Sequence, residues 1–135
     1  MKPKTSSNPA VAYVLDTSAI IAYLAQESGG DRVNTLREDA GLPFIAVTEL
    51  YAVMWRKHGQ LMADETLQAV FGWHMPLLLP DEQISLSAGY LKGRYGLGIA
   101  DSYVAAFALA SQVTLVTKDR DFLALKPDLQ ILFLS

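Results

Sequence analysis

Val11-Ala12-Tyr13-Val14-Leu15-Asp16-Thr17-Ser18-Ala19-Ile20-Ile21-Ala22-Tyr23-Leu24-Ala25 is the stretch from which the rest of the chain can be read. Val11–Leu15 is a continuous apolar run, the pattern of a strand covered on both faces. Thr17–Ala25 reads as a helix that follows almost without a loop. A single carboxylate, Asp16, stands at the junction between Val14–Leu15 and Ala19–Ile21, where a charge is expensive unless it is paired.

Working outward, strand-like and helix-like segments keep alternating. Gly29 and Gly30 break the first helix, and Asp31–Asp39 reads as a second with Val33 and Leu36 inward. Pro43–Ala46 reads as a short strand. Thr48 is the expected N-cap of a helix over Glu49–Lys57, ended by Gly59. Asp64 is expected to cap a helix reaching Trp73, and Leu77–Leu79 reads as a third strand. Asp81 opens a helix to about Tyr95 that Gly89 and Gly93 should weaken. After a turn at Gly96 and Gly98, Ile99–Ser111 is alanine-rich and helical, and Val113–Val116 reads as a fourth strand. Asp119–Leu123 reads as a turn with a short helix, and Ile131–Leu134 as a fifth strand. Strands separated by helices pair in parallel through right-handed crossovers. The expected fold is therefore α/β, a three-layer α/β/α sandwich around a central, mainly parallel five-stranded sheet.

The chain has 135 residues, the length of one ordinary domain. The expected organisation is a flexible N-terminal tail over 1–10 and a single domain over 11–135. Hydrophobic residues make up 51% of the chain, enough for a large core. There is no cysteine, which excludes disulfides and thiolate metal sites. The net charge of -3 argues against a protein that holds nucleic acid by charge alone. It does not argue against an enzyme whose acids are neutralised by metal. Lys2 and Lys4 precede an apolar stretch, but Asp16 interrupts it and no small-residue cleavage site follows, so no signal peptide is expected. No uncharged run is long enough to span a bilayer, so no membrane partner is expected and the expected location is the cytoplasm.

Open α/β sheets gather function at the C-terminal ends of their strands. Four acids fall near such ends. Asp16 follows the first strand, and Glu49 is expected in the first turn of the helix after the second. Asp101 lies in the first turn of the Ile99–Ser111 helix, and Asp119 follows the fourth strand. Each has a plain structural alternative. Glu49 and Asp101 suit the positive end of a helix dipole, Asp16 suits a cap, and Asp119 suits a turn. Four together in otherwise apolar segments are harder to dismiss. Converging carboxylates repel, and a divalent cation removes the conflict. An oxygen-only ligand set favours Mg²⁺ or Mn²⁺ over zinc. Such an ion activates water and neutralises a phosphate, which points to hydrolysis of a phosphodiester.

Four stretches carry a family resemblance. Val14-Leu15-Asp16-Thr17-Ser18-Ala19, Val47-Thr48-Glu49-Leu50, Gly98-Ile99-Ala100-Asp101-Ser102-Tyr103-Val104-Ala105-Ala106 and Leu115-Val116-Thr117-Lys118-Asp119-Arg120-Asp121-Phe122 resemble, in order, the four motifs of PIN-domain nucleases. The short chain is similar to the VapC toxins of type II toxin–antitoxin systems. The resemblance implies that Asp16, Glu49, Asp101 and Asp119 are catalytic, metal-holding acids, with Asp121 an alternative or helper for the fourth. It implies that Ser18 and Thr117 are supporting hydroxyls, for which local capping is the alternative. It further implies an RNA substrate such as transfer or ribosomal RNA, a homodimer, and a cognate antitoxin whose tail blocks the site.

Lys118 and Arg120 flank Asp119 and are candidates for phosphate contacts, whereas Arg56–Lys57 reads as a solvated helix end. Lys92–Arg94 could line the same groove. His58 and His74 are given no catalytic role. Tyr51, Trp55, Phe71 and Trp73 suit either the core or a partner-facing surface. Gly96-Leu97-Gly98 is too short for a nucleotide-binding fingerprint. Three rival readings fit less well. A receiver-like signalling domain would have an acidic doublet where Asp16-Thr17 stands, and a haloacid-dehalogenase phosphatase an Asp at Ser18. An adhesion-type metal module would have a serine at Ile20. A non-catalytic PIN-like RNA or protein binding module is the alternative that keeps the fold.

Overall fold

The computed structural model describes residues 8–134. Most of the expected N-terminal tail lies outside the described residues. Asn8 does not stand free: its side-chain amide brackets Leu79, accepting from the backbone nitrogen at 3.0 Å and donating to the carbonyl at 3.2 Å.

Five strands form one sheet in the order β3-β2-β1-β4-β5, and every neighbouring pair is parallel. The strands are β1 (Tyr13–Leu15), β2 (Ala40–Pro43), β3 (Leu77–Leu78), β4 (Thr114–Thr117) and β5 (Ile131–Phe133). Six α-helices connect them among the described residues: α1 (Thr17–Leu24), α2 (Arg32–Leu36), α3 (Phe44–His58), α4 (Gln60–Phe71), α5 (Glu82–Tyr95) and α6 (Ile99–Ser111). Short 3-10 turns occupy Arg37–Asp39 and Arg120–Leu125.

Alternation along the strands divides the core. Val14 and Leu115 face one layer, with Leu91 of α5 and Val104 and Phe107 of α6. Leu15 and Val116 face the other, with Ile20 of α1, Leu50 of α3 and Leu67 of α4. Both faces are dry, so the strands read as continuous apolar runs. The three-layer expectation holds, and the sheet is wholly parallel rather than mainly so.

Three element boundaries differ from the sequence reading. The second strand is Ala40–Pro43, not Pro43–Ala46. Gly41 and Pro43 have low strand propensity, while Phe44-Ile45-Ala46-Val47 looks strand-like but opens α3. Burial between β1 and β3 overrides local preference. Thr48 is therefore interior to a helix whose N-cap is Pro43, and Glu49 sits in its second turn, outside the reach of the helix dipole. Asp64 is no cap either. α4 starts directly after Gly59, whose φ of +86° makes the one-residue corner, and Asp64 instead accepts the Tyr51 hydroxyl at 2.7 Å. Asp81 does cap α5, accepting from the Ile84 nitrogen at 2.8 Å, and the helix runs unbroken through Gly89 and Gly93.

Candidate acidic active site

Asp16 leaves β1 and caps α1. One carboxylate oxygen accepts the Ala19 amide at 3.0 Å and the Ser18 hydroxyl at 2.6 Å. The other accepts the Thr117 hydroxyl from the end of β4 at 2.6 Å. Only 5% of Asp16 is exposed. Burial raises its pKa, the hydroxyls and the amide oppose the rise, and the charge of Asp119 adds to it. The capping alternative is thus correct for Asp16, but it is not the whole account, since a cap does not need a hydroxyl from a neighbouring strand.

Ser18 and Thr117 extend this network. The Lys118 amide donates to the Ser18 hydroxyl and the Asp119 amide to the Thr117 hydroxyl, each at 2.9 Å. The two hydroxyl oxygens lie 3.2 Å apart. The turn after β4 is therefore tied to the first turn of α1. Asp119 accepts the Asp121 amide at 2.9 Å, which caps the Arg120–Leu125 turn.

Asp101 comes from the first turn of α6, which begins at Ile99 after Gly98. Burial, then the charges of Asp119, Asp16 and Glu49, and a hydrogen bond with Asp119, push its carboxyl up to about 7. One oxygen from each of Asp101, Asp119 and Asp121 lies within 4.8 Å of the others. Asp119 and Asp121, the two candidates for the fourth acid, thus both reach Asp101. Glu49 joins from α3, where its Oε1 accepts the Thr17 hydroxyl at 3.0 Å. Sequence reasoning passed over Thr17 as a partner in the site. The signal available was its place, a hydroxyl next to Asp16 on the same helical turn.

No lysine or arginine forms an ion pair with any of these five acids among the described residues. Lys118 turns away to Glu27, at 3.3 Å. A cluster of carboxylates without a protein counter-cation is suited to a hard divalent cation, which takes oxygen ligands and offsets their repulsion. Asp101, Asp119 and Asp121 face one another, and Glu49 has an oxygen that Thr17 does not engage, so the donor chemistry fits such an ion. Asp16 accepts two hydrogen bonds at one carboxylate oxygen and one at the other, so the oxygen facing Thr117 keeps a lone pair for an ion.

A family model for the PIN domain matches residues 13–126. No curated protein matches the sequence. Among solved structures, VapBC2 from Rickettsia felis bound to a promoter DNA fragment is similar, with a TM-score of 0.74 and 17% identity over 91% of this chain and 98% of that one. The DNA-bound VapBC of Salmonella typhimurium gives a TM-score of 0.72 and 21% identity, over 93% and 99% of the two chains. FitAcB of Neisseria gonorrhoeae gives 0.69 and 25%, over 88% and 95%. Parallel topology, acids converging at one sheet edge and a family model spanning four of the five strands lead to one assignment: the chain belongs to the PIN domain family.

Proposed function

We propose that this chain is a metal-dependent endoribonuclease, the toxin of a toxin–antitoxin pair, acting in the cytoplasm as a homodimer on an RNA such as transfer or ribosomal RNA. The observation that carries the reading is the meeting of Asp101, Asp119 and Asp121 within 4.8 Å, with the charges of Asp16 and Glu49 acting on Asp101. Asp16, Glu49, Asp101 and Asp119 would hold Mg²⁺ or Mn²⁺, with Asp121 beside them as a further carboxylate. When bound, the ion supplies an activated water and neutralises a phosphate oxygen. The chain's own groups orient the site. Ser18 and Thr117 fix the Asp16 carboxylate, Thr17 limits the rotamers of the long Glu49 side chain, and the Asp121 amide holds Asp119. With no ion bound, burial and its acidic neighbours hold the Asp101 carboxyl up at about 7, and an ion in the pocket would draw it into the charged form.

An antitoxin partner is supported by the similar solved structures, which include VapBC complexes. The groove of about 720 Å³ between α3 and α4, lined by Tyr51, Trp55, Leu67 and Phe71, would receive an apolar segment of such a partner. Trp55 and Phe71 are exposed there, whereas Trp73 packs edge-on against Tyr23 at 5.4 Å.

The test is cleavage of total RNA by the purified chain with Mg²⁺, Mn²⁺ or EDTA, beside Asp101→Asn. Discrete metal-dependent fragments that vanish in the variant are expected. Fragments that persist in EDTA, or in the variant, would overturn the assignment.

A further inference from the structure

We propose that Phe133, Arg120 and Lys126 form a docking platform for single-stranded RNA beside the acidic site. The proposal takes its substrate class from the nuclease reading above, but stands on a separate group of side chains. Phe133 ends β5 and is the register partner of Thr117, whose hydroxyl holds Asp16. The ring therefore lies at the same sheet edge as the acids, one strand over, a step of about 4.8 Å. The Arg120 guanidinium carbon lies 4.5 Å from the ring centroid and the Lys126 ammonium nitrogen 5.8 Å from it. Both distances fall within cation–π range. Two other rings, Trp73 and Tyr95, carry one cation each.

Arg120 stands between Asp119 and Asp121 in sequence, yet it forms no ion pair with either or with any other described residue. Lys126 has none either among the described residues. Arg120 and Lys126 are exposed and Phe133 is half-buried. Two cations on one aromatic ring, neither in an ion pair among the described residues, leave a local positive site next to a negative one in a chain of net charge -3. A single-stranded polynucleotide matches both features. Its phosphates take the cations, and its bases stack on a guanidinium plane or an aromatic face without reading sequence. An acidic peptide offers the charge but no flat face to stack. Of the two cations flanking Asp119, Arg120 is thus available for phosphate, while Lys118 is engaged by Glu27.

The experiment measures binding of a short, mixed-sequence, fluorescently labelled single-stranded RNA by anisotropy, in EDTA, in an Asp101→Asn background. The double change Arg120→Ala with Lys126→Ala should weaken binding about tenfold. It should also flatten the dependence of log affinity on log salt by about 1.4, at about 0.7 per lost phosphate contact. Phe133→Leu should weaken binding about fivefold with little change in the salt slope. Arg56→Ala with Lys57→Ala, at the far end of α3, removes the same two charges as a control and should bind as the parent does. Equal binding by parent and double variant overturns the platform, and if the wild-type chain still cleaves RNA the nuclease reading survives it. Losses that track a lowered thermal midpoint, with the salt slope unchanged in the double variant, also overturn it. A wild-type chain that neither binds nor cleaves RNA removes both proposals.

Discussion

Asp101 is where the conflict among the acids is concentrated. Its carboxyl titrates near 7 in the folded chain, against 3.8 for the ordinary group. Between those values the folded chain holds a proton that the unfolded chain has released. That contribution to stability is complete below about pH 3.8 and is lost as pH rises through about 7. In EDTA, wild type and Asp101→Asn should therefore melt at similar temperatures near pH 4, and the variant should melt progressively higher than wild type as pH rises to 8. Parallel curves for the two proteins across this range would mean that Asp101 ionises freely. Asp16 makes a different demand. It is buried and is held by two hydroxyls and an amide, so Thr117→Val leaves one carboxylate oxygen without its donor. Removing such a partner costs about 1–3 kcal/mol, to be read from urea unfolding, and Thr117→Ser should recover most of it. The cap at Asp16 and the turn at Asp119 were legible in the sequence because each is a local relation. The Thr117 bond to Asp16 spans two strands, and no local pattern announces it.

Glycines show how packing, rather than propensity, governs the elements. A Cβ at Gly30 would run into the Ala22 carbonyl, where the start of α2 passes close to α1. Gly30→Ala should destabilise by about 1–3 kcal/mol, as overpacking does. Gly89 lies inside α5 with nothing within 4 Å of the place an alanine methyl would take, so Gly89→Ala should stabilise by about 0.5–1 kcal/mol. Guanidinium unfolding of the two variants checks both signs, and a destabilised Gly89→Ala would mean that this face of α5 is covered in solution. The helices with strong local signals, α1, α5 and α6, were readable within a residue or two. The β2–α3 junction was not, because Ala40-Gly41-Leu42-Pro43 has weak strand character and the apolar residues after it suit either state. Its shift by a few residues moved Glu49 from the first to the second turn of α3, which removed the dipole explanation for that acid.

Across the molecule, acids separated by long stretches of chain meet because all five strands point the same way. Asp16 follows β1, Glu49 rises from the helix after β2, and Asp119 and Asp121 follow β4, all at one edge, with Asp101 brought there by the start of α6. A divalent cation that binds only this folded arrangement should stabilise it by mass action, roughly 2.7 kcal/mol at a concentration one hundred times its dissociation constant. Mg²⁺ or Mn²⁺ should raise the thermal midpoint of the wild-type chain, with a smaller rise in Asp101→Asn and reversal by EDTA. An equal rise in both proteins would place the ion elsewhere.

The alternation of apolar runs with helical periodicity, and the order of the four acidic motifs, lie within short windows of the chain, so the α/β class and most of the acids could be read from them directly. Parallel register decided the rest. It brought Asp121 as well as Asp119 to Asp101, gave Asp16 its hydroxyl from Thr117, paired Glu49 with Thr17, and stood Phe133 beside Thr117. Each of these is a contact between segments distant in sequence, made by strand alignment and helix packing, and the residues on either side of it carry no local mark of the partner they will meet.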